Sequence, residues 1–129
     1  MKLYVLDLGK IVMKGDNPVT DEKEGGEAAI PVCAFLIDSS EGKILFDSGC
    51  HPQAMEGAWP EAMCANPYVF GREATLLSRL KQLNIEPSEI RYIVASHLHL
   101  DHAGGLHLFP QAVTYVQEQE LLKTMKDHE

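Results

Sequence analysis

The chain has 129 residues, of which 45% are hydrophobic and 23% are charged, and its formal net charge is −8. This length and composition suit one compact domain and exclude wholesale disorder. An acidic chain lacks the basic face that nucleic acids and anionic membranes require, so neither partner is expected. The three cysteines show no paired spacing, and no segment resembles a signal peptide or a transmembrane helix. We therefore expect the chain in the reducing cytoplasm.

The first third of the chain predicts three strands. Residues 2–8 form the first strand, and a polar stretch with glycine and proline over residues 14–27 predicts a loop. The continuous apolar run PVCAFLI at residues 31–37 predicts a strand buried on both faces. Turn residues at 38–42 and a further strand at 43–46 complete a hairpin with it.

The rest of the chain alternates strands and helices. Residues 47–70 are rich in glycine, proline and large apolar side chains, and predict a loop that packs on the core or lines a binding cleft. A leucine stripe predicts a helix over residues 72–83 that ends at Asn84. Strands at residues 90–95 and 113–116 and a helix at residues 118–126 follow. Strands first and strand–helix alternation afterwards predict a mixed α/β fold.

The most informative segment is SHLHLDHAGG at residues 96–105, directly after the predicted strand at 90–95. It holds His97, His99, Asp101 and His102, and imidazole with carboxylate suits Zn²⁺ and its first-row neighbours. On an extended chain His97 and His99 project to the same side and can share one metal, while Asp101 and His102 can reach a second. The chance of this spacing at random is about one in a thousand, which favours metal binding over an accidental cluster.

Two glycines and one more carboxylate surround this motif. Gly104 and Gly105 let the backbone turn tightly behind the ligands. Asp47 ends the predicted strand at 43–46, where it is either an outer-shell carboxylate that orients a metal-binding histidine or a turn residue that bonds to its own backbone.

Other residues of the ligand and nucleophile types lie outside the motif. His51 and His107 are excluded as ligands, because a lone histidine is more often a surface or capping residue. Cys50 and Cys64 have no partner at a useful spacing for a metal or a nucleophile role.

The segment SHLHLDHAGG resembles the signature of the metallo-β-lactamase superfamily. Further matching segments make the chain most similar to the N-acyl homoserine lactone lactonases: KLYVLDLGK, IPVCAFLI, ILFDSG, IRYIVASHLHLDHAGG and VTYVQEQE. The resemblance implies the N-terminal half of an αβ/βα sandwich, a mixed sheet with flanking helices that forms a single partial domain over residues 1–129.

The resemblance also implies a role for each residue of the motif. His97 and His99 would bind the first zinc ion and Asp101 and His102 the second, with Asp101 as the candidate catalytic residue and Asp47 as a supporting aspartate. The implied reaction is attack of a metal-bridging hydroxide on the carbonyl of a small-molecule lactone. Hydrolysis of a thioester or another ester is the alternative within the superfamily.

Members of this family continue well beyond the length of this chain. Their second half supplies another histidine for each metal, an aspartate that bridges both metals and a tyrosine beside the substrate, and no residues of this chain match these. A truncated gene product, a fragment and a half-domain completed by another chain would each account for this. We expect weak or absent metal binding by the chain alone, and a symmetric homodimer that buries the exposed face of the half-sandwich.

Overall fold

The computed structural model describes residues 1–14, 27–55, 68–69 and 74–126. These residues form a mixed sheet with flanking helices, as predicted. In chain order the strands and helices are β1 (Lys2–Lys14), β2 (Glu27–Ser39), β3 (Gly42–Phe46), β4 (Tyr68–Val69), α1 (Leu76–Gln82), β5 (Ile90–Val94), α2 (Leu100–Ala103), β6 (Val113–Tyr115) and α3 (Glu118–Lys126). Short 3-10 turns lie at Pro52–Met55, Pro87–Glu89 and Leu106–Leu108. None of the helices in the described ranges is long and apolar enough to cross a membrane.

The strands form a single sheet in the order β4-β1-β2-β3-β5-β6. The predicted hairpin is present, since β2 and β3 pair antiparallel from Phe35 opposite Phe46 to Ser39 opposite Gly42. β3 then pairs parallel with β5, and β5 pairs parallel with β6. The carboxyl ends of β3 and β5 therefore meet at one edge of the sheet, with Phe46 beside Val94.

One face of the sheet is covered by α1 and the loops around it. Leu76 and Leu80 of α1 are buried against apolar residues of four strands: Leu6, Leu8, Val32, Ala34, Leu36, Leu45, Ile90 and Ile93. The helix begins at Leu76 because the Thr75 side chain caps it by accepting a hydrogen bond from the Ser78 amide. Residues 72 and 73 of the longer predicted helix lie outside the described ranges. Asn84, with a φ of 56°, follows the end of the helix as predicted.

The opposite face of the sheet is apolar too, but it is open. Two rows of cross-strand neighbours run over five strands: Leu3, Ile37, Ile44, Tyr92 and Val113 in one row, and Val5, Phe35, Phe46, Val94 and Tyr115 in the other. Leu3 and Val5 are 64% and 63% exposed, and Val113 and Tyr115 are 52% and 56% exposed. The expectation that residues 31–37 are buried on both faces is therefore wrong for the described chain: Val32, Ala34 and Leu36 are buried, whereas the alternating residues lie on the open face.

Two strands also differ from the prediction, since β1 is longer than predicted and β4 was not predicted. β1 continues to Lys14, because a bulge between Asp7 and Lys10 bends the strand at Gly9 without ending it. Gly9 has a φ of 109°, and its amide donates to the Asp7 carboxylate. The predicted loop at residues 47–70 contains a short strand, β4, which pairs with β1, while residues 56–67 and 70 of it lie outside the described ranges.

Two leucines of α1 test the assignment of the covered face. Leu80 is fully buried and Leu77 is 41% exposed, although both lie on the same short helix. We expect Leu80→Ala to lower the free energy of unfolding by about 2–5 kcal/mol, because it leaves a cavity under the helix. Leu77→Ala is the matched control and should cost less than about 1 kcal/mol. Urea denaturation followed by circular dichroism measures both, and equal losses would contradict the assignment.

Candidate metal centre

The predicted ligands lie on the segment that follows β5. Residues 95–99 continue without regular structure, and α2 then begins with His99 as its N-cap residue in an extended conformation. His97 and His99 therefore lie on extended chain, while Asp101 and His102 lie in the short helix itself. The change from extended chain to helix falls between the two pairs of predicted ligands.

The side chains of these four residues are neighbours. The ring centroid of His97 lies 4.6 Å from that of His99 and 4.1 Å from that of His102. The Nε2 atom of His102 lies 3.2 Å from Oδ2 of Asp101. The structure therefore brings the four predicted ligands into one cluster at the carboxyl end of β5.

In the described ranges, the side chains of the cluster are not arranged around one metal position. Within the ranges that the structure describes, no group of three or more His, Cys, Asp or Glu side chains is placed so that it could hold a metal ion. The rings of His97 and His102 are tilted against each other by 45°. The proximity of the four side chains is thus a structural fact, and their role as ligands stays a prediction.

The cluster is anchored by the buried carboxylate of Asp47, which is 4% exposed. Oδ1 of Asp47 accepts a hydrogen bond of 2.8 Å from the Ser96 amide, and Oδ2 accepts one of 2.8 Å from the Ser96 hydroxyl. Nδ1 of His102 lies 2.8 Å from the same Oδ2 atom. Asp47 therefore bonds across the sheet edge and not to its own turn, which favours the outer-shell interpretation.

These contacts give the Nδ1 atom of each histidine a hydrogen-bond partner. Nδ1 of His102 can donate to Asp47, and this leaves Nε2 for another partner. The Ser96 hydroxyl donates to Asp47, so it accepts from Nδ1 of His97 at 3.0 Å. In the neutral form of each imidazole this arrangement leaves Nε2 unprotonated, which is the form that binds metal.

The side-chain types of the cluster suit a divalent metal ion, since imidazole nitrogens and carboxylate oxygens are ligands that zinc accepts. Nε2 of His102 lies 3.2 Å from Oδ2 of Asp101. Zinc bonds of about 2.0–2.2 Å place neighbouring ligands of a tetrahedral site about 3.4 Å apart. His102 and Asp101 are therefore spaced as two ligands of one zinc ion would be.

Ser48, which is 1% exposed, holds the segment of predicted ligands by hydrogen bonds. The amide of Ser48 donates to the carbonyl of His102 at 2.7 Å, and its hydroxyl donates to the same carbonyl at 3.0 Å. The amide of Gly105 donates to the Ser48 hydroxyl at 3.1 Å. A Cβ atom on Gly104 or Gly105 would collide with the backbone of His51 or of Ser48. Close packing and not a tight turn therefore explains both glycines, since their φ values are −63° and −93°.

Cys50 lies beside the cluster but is a poor nucleophile. Burial, and then the negative charge of Asp101, raises the pKa of the Cys50 thiol to about 12. The thiol is therefore protonated at neutral pH. It lines an apolar cavity of about 170 Å³ beneath α1. Cys64, the other cysteine considered in the sequence, lies outside the described residues.

The two histidines that the sequence excluded lie apart from the ligands. The rings of His51 and His107 stack on each other with centroids 4.4 Å apart. Nδ1 of His51 accepts from the Gln53 amide, and Nδ1 of His107 lies 3.1 Å from the Gly104 carbonyl. Each ring thus packs locally against the other and bonds to nearby backbone.

Three contacts of the cluster were not predicted from the sequence. Ser96 stands inside the quoted motif, so a serine directly before a histidine ligand was the available signal. Ser48 follows Asp47, and the only hint was its position at the end of β3. Glu120 of α3 accepts a hydrogen bond from the Leu98 amide at 3.4 Å, and nothing in the sequence links residues so far apart.

Comparison with known proteins gives this geometry a family. The family model of the metallo-beta-lactamase superfamily matches residues 29–120. N-acyl homoserine lactonase AiiB of Rhizobium rhizogenes is 37% identical over an alignment of 137 positions. This alignment covers 97% of this chain and 50% of that protein. N-acyl homoserine lactonase AiiA of Bacillus thuringiensis subsp. kurstaki is 30% identical over an alignment of 126 positions. This alignment covers 92% of this chain and 49% of that protein. The chain therefore spans about half the length of the curated relatives it matches.

Solved structures agree with the sequence relatives. An N-acyl homoserine lactone hydrolase with the product N-hexanoyl-L-homoserine bound at its catalytic metal center superimposes with a TM-score of 0.81 and 28% identity, over 96% of this chain and 51% of that chain. A probable metal-dependent hydrolase from Staphylococcus aureus shares the fold, with a TM-score of 0.77 and 20% identity. The resemblance and the half-sandwich predicted from the sequence are thereby confirmed, and the chain belongs to the metallo-beta-lactamase superfamily.

Proposed function

We propose that residues 1–129 form one partial domain, the metal-binding half of a hydrolase that opens the lactone ring of N-acyl homoserine lactones. His97 and His99 hold one zinc ion, Asp101 and His102 hold the other, and Asp47 supports them. The observation that carries the proposal is the cluster that these four side chains form at the carboxyl end of β5, with the His97 ring 4.6 Å from His99 and 4.1 Å from His102, and with Nε2 of His102 3.2 Å from Oδ2 of Asp101. The substrate class is supported by the lactonases that match 92–97% of this chain.

The chain's own residues prepare the site for hydrolysis. When bound, divalent metal ions lower the pKa of water and polarise the carbonyl that it attacks. Asp47 orients the ring of His102 through Nδ1 and, through the Ser96 hydroxyl, the ring of His97 through its Nδ1 atom, so that Nε2 of each ring is left for another partner. The side chain of Asp101 is 27% exposed at the rim of the cluster, where a substrate can reach it, and it is our candidate catalytic residue. The protonated Cys50 thiol argues against Cys50 as a covalent nucleophile.

Location in the cytoplasm belongs to the same proposal. Cys33 and Cys50 are free thiols in the described ranges. Burial, and then the charge of Asp7, raises the pKa of the Cys33 thiol. Unpaired thiols suit a reducing compartment, where disulfide bonds are not maintained.

Metal content and ring opening test the function directly. We expect the chain to bind zinc weakly on its own, and to bind about two zinc ions and open the ring of N-hexanoyl homoserine lactone only when a partner chain covers the open face and supplies the missing ligands. Elemental analysis measures the first quantity and a pH-stat assay measures the second. His97→Ala is the matched loss-of-ligand variant, and His107→Ala is the control imidazole outside the cluster.

The same two measurements can reject the proposal. Zinc well below one ion per chain, with no ring opening at any protein concentration, would mean that this chain is an inactive half of the fold. Equal zinc binding by His97→Ala and by the unaltered chain would remove His97 from the ligand set.

A second prediction isolates the supporting carboxylate. Asp47→Asn keeps the shape and the backbone conformation, but replaces one acceptor oxygen by an amide donor that opposes the protons from Ser96 and His102. We expect zinc affinity to fall by about 10–100-fold. Competition with a chromophoric chelator measures the affinity. Asp38→Asn, on β2 beside Lys43, is the control. If it lowers zinc affinity as much as Asp47→Asn does, the loss is caused by the change in net charge and not by the contacts of Asp47.

We also propose that a second copy of the chain covers the open face. The two rows that cross five strands are apolar, and faces of this size rarely stay exposed in soluble proteins. In a solution of the purified chain, the surface available to cover them is the same face of another copy. Pairing of one patch with itself about a two-fold axis is the commonest arrangement of homo-oligomers.

Sedimentation equilibrium tests this homodimer. We expect the unaltered chain to sediment as a dimer and Val5→Lys, which places a charge at a residue of the open face that is 63% exposed, to sediment as a monomer. Gln82→Lys adds the same charge on exposed α1 and should leave the dimer intact. A monodisperse monomer for the unaltered chain, or equal dissociation by both variants, would contradict the proposal.

A further inference from the structure

Helix α3 has little apolar contact with the rest of the described chain. None of its residues is buried, and Leu121, Leu122 and Met125 are 46–61% exposed. The helix is nevertheless placed directly after β6, the strand that pairs with β5. A contact other than apolar packing must therefore hold α3 near the segment of predicted ligands that follows β5.

The side chain of Glu120 makes such a contact. It is half-buried, although its neighbours Gln119 and Leu121 on the helix are exposed. Its Oε2 atom accepts a hydrogen bond of 3.4 Å from the amide of Leu98, which lies between the predicted ligands His97 and His99. In the described ranges this is the side-chain hydrogen bond that joins α3 to another part of the chain.

We propose that Glu120 is a positioning residue for the candidate metal centre. By holding the Leu98 amide it fixes the backbone between His97 and His99, whose ring centroids lie 4.6 Å apart. The bond is long for a hydrogen bond, but the acceptor is a carboxylate, and charge-assisted bonds are stronger than neutral ones. This inference rests on the proposed function, because it concerns the same metal centre.

A simpler role for Glu120 must be separated from this one. Acidic residues in the first turn of a helix favour the helix dipole, and both Glu118 and Glu120 lie in the first turn of α3. Glu118 makes no contact with the ligand segment in the described structure. The variant Glu118→Ala therefore removes a charge from the same turn and leaves the Leu98 bond in place.

The test uses the full chain and two readouts. Amide hydrogen exchange by NMR reports the Leu98 bond in metal-free protein, and chelator competition reports the affinity for Zn²⁺. For Glu120→Ala we expect exchange at Leu98 to accelerate about fivefold or more. We also expect zinc affinity to fall by about tenfold. Glu120→Gln keeps an acceptor oxygen and should restore most of both properties, and Glu118→Ala should match the unaltered chain.

The outcomes distinguish this inference from the proposed function. If Glu120→Ala leaves Leu98 exchange unchanged, or Glu118→Ala has the same effect, the positioning role is wrong. If exchange accelerates at Leu98 but zinc affinity is unchanged, the bond exists without serving the metal. If the unaltered chain binds no zinc, the proposed function fails, and with it the role in metal binding, while the exchange data still report the bond.

Discussion

The structure depends on one buried carboxylate. Asp47 ends β3 in a left-handed conformation with a φ of 60°, which costs free energy for a residue other than glycine. In return its two oxygens accept hydrogen bonds from Ser96 and His102, so that the ends of two parallel strands are joined by side-chain bonds as well as by the sheet. The same three bonds orient Ser96 and the His102 ring, so the fold and the arrangement of the site rest on the same atoms.

The division of work between the sheet and the loops follows from this anchor. The parallel pairing of β3 and β5 brings the two strand ends together, and Ser48 then holds the carbonyl of His102 against the end of β3. Glycines at 104 and 105 allow that approach because they have no Cβ atom. The ligand segment is thus held on one side by β3 and, in our inference, on the other by α3.

Much of this organisation could be predicted from the sequence, because it is local. The spacing of His97, His99, Asp101 and His102 and the position of Asp47 at a strand end are visible in short segments. Contacts from Ser48 and Glu120 are not, since they join residues that only the fold brings together. The end of β1 was missed because Gly9 forms a bulge where the sequence suggests a break. The apolar run in β2 showed that both faces are hydrophobic, but apolar composition does not tell whether each face has a partner.

The open face of the sheet has a thermodynamic consequence for the metal. If the chain that covers the two apolar rows also supplies ligands to the ions, association and metal binding are linked equilibria. Each then strengthens the other by the same factor, as linkage requires. The apparent zinc affinity would depend on protein concentration, and a chelator would dissociate the assembly without touching its interface. Occupancy of the metal centre would then report assembly.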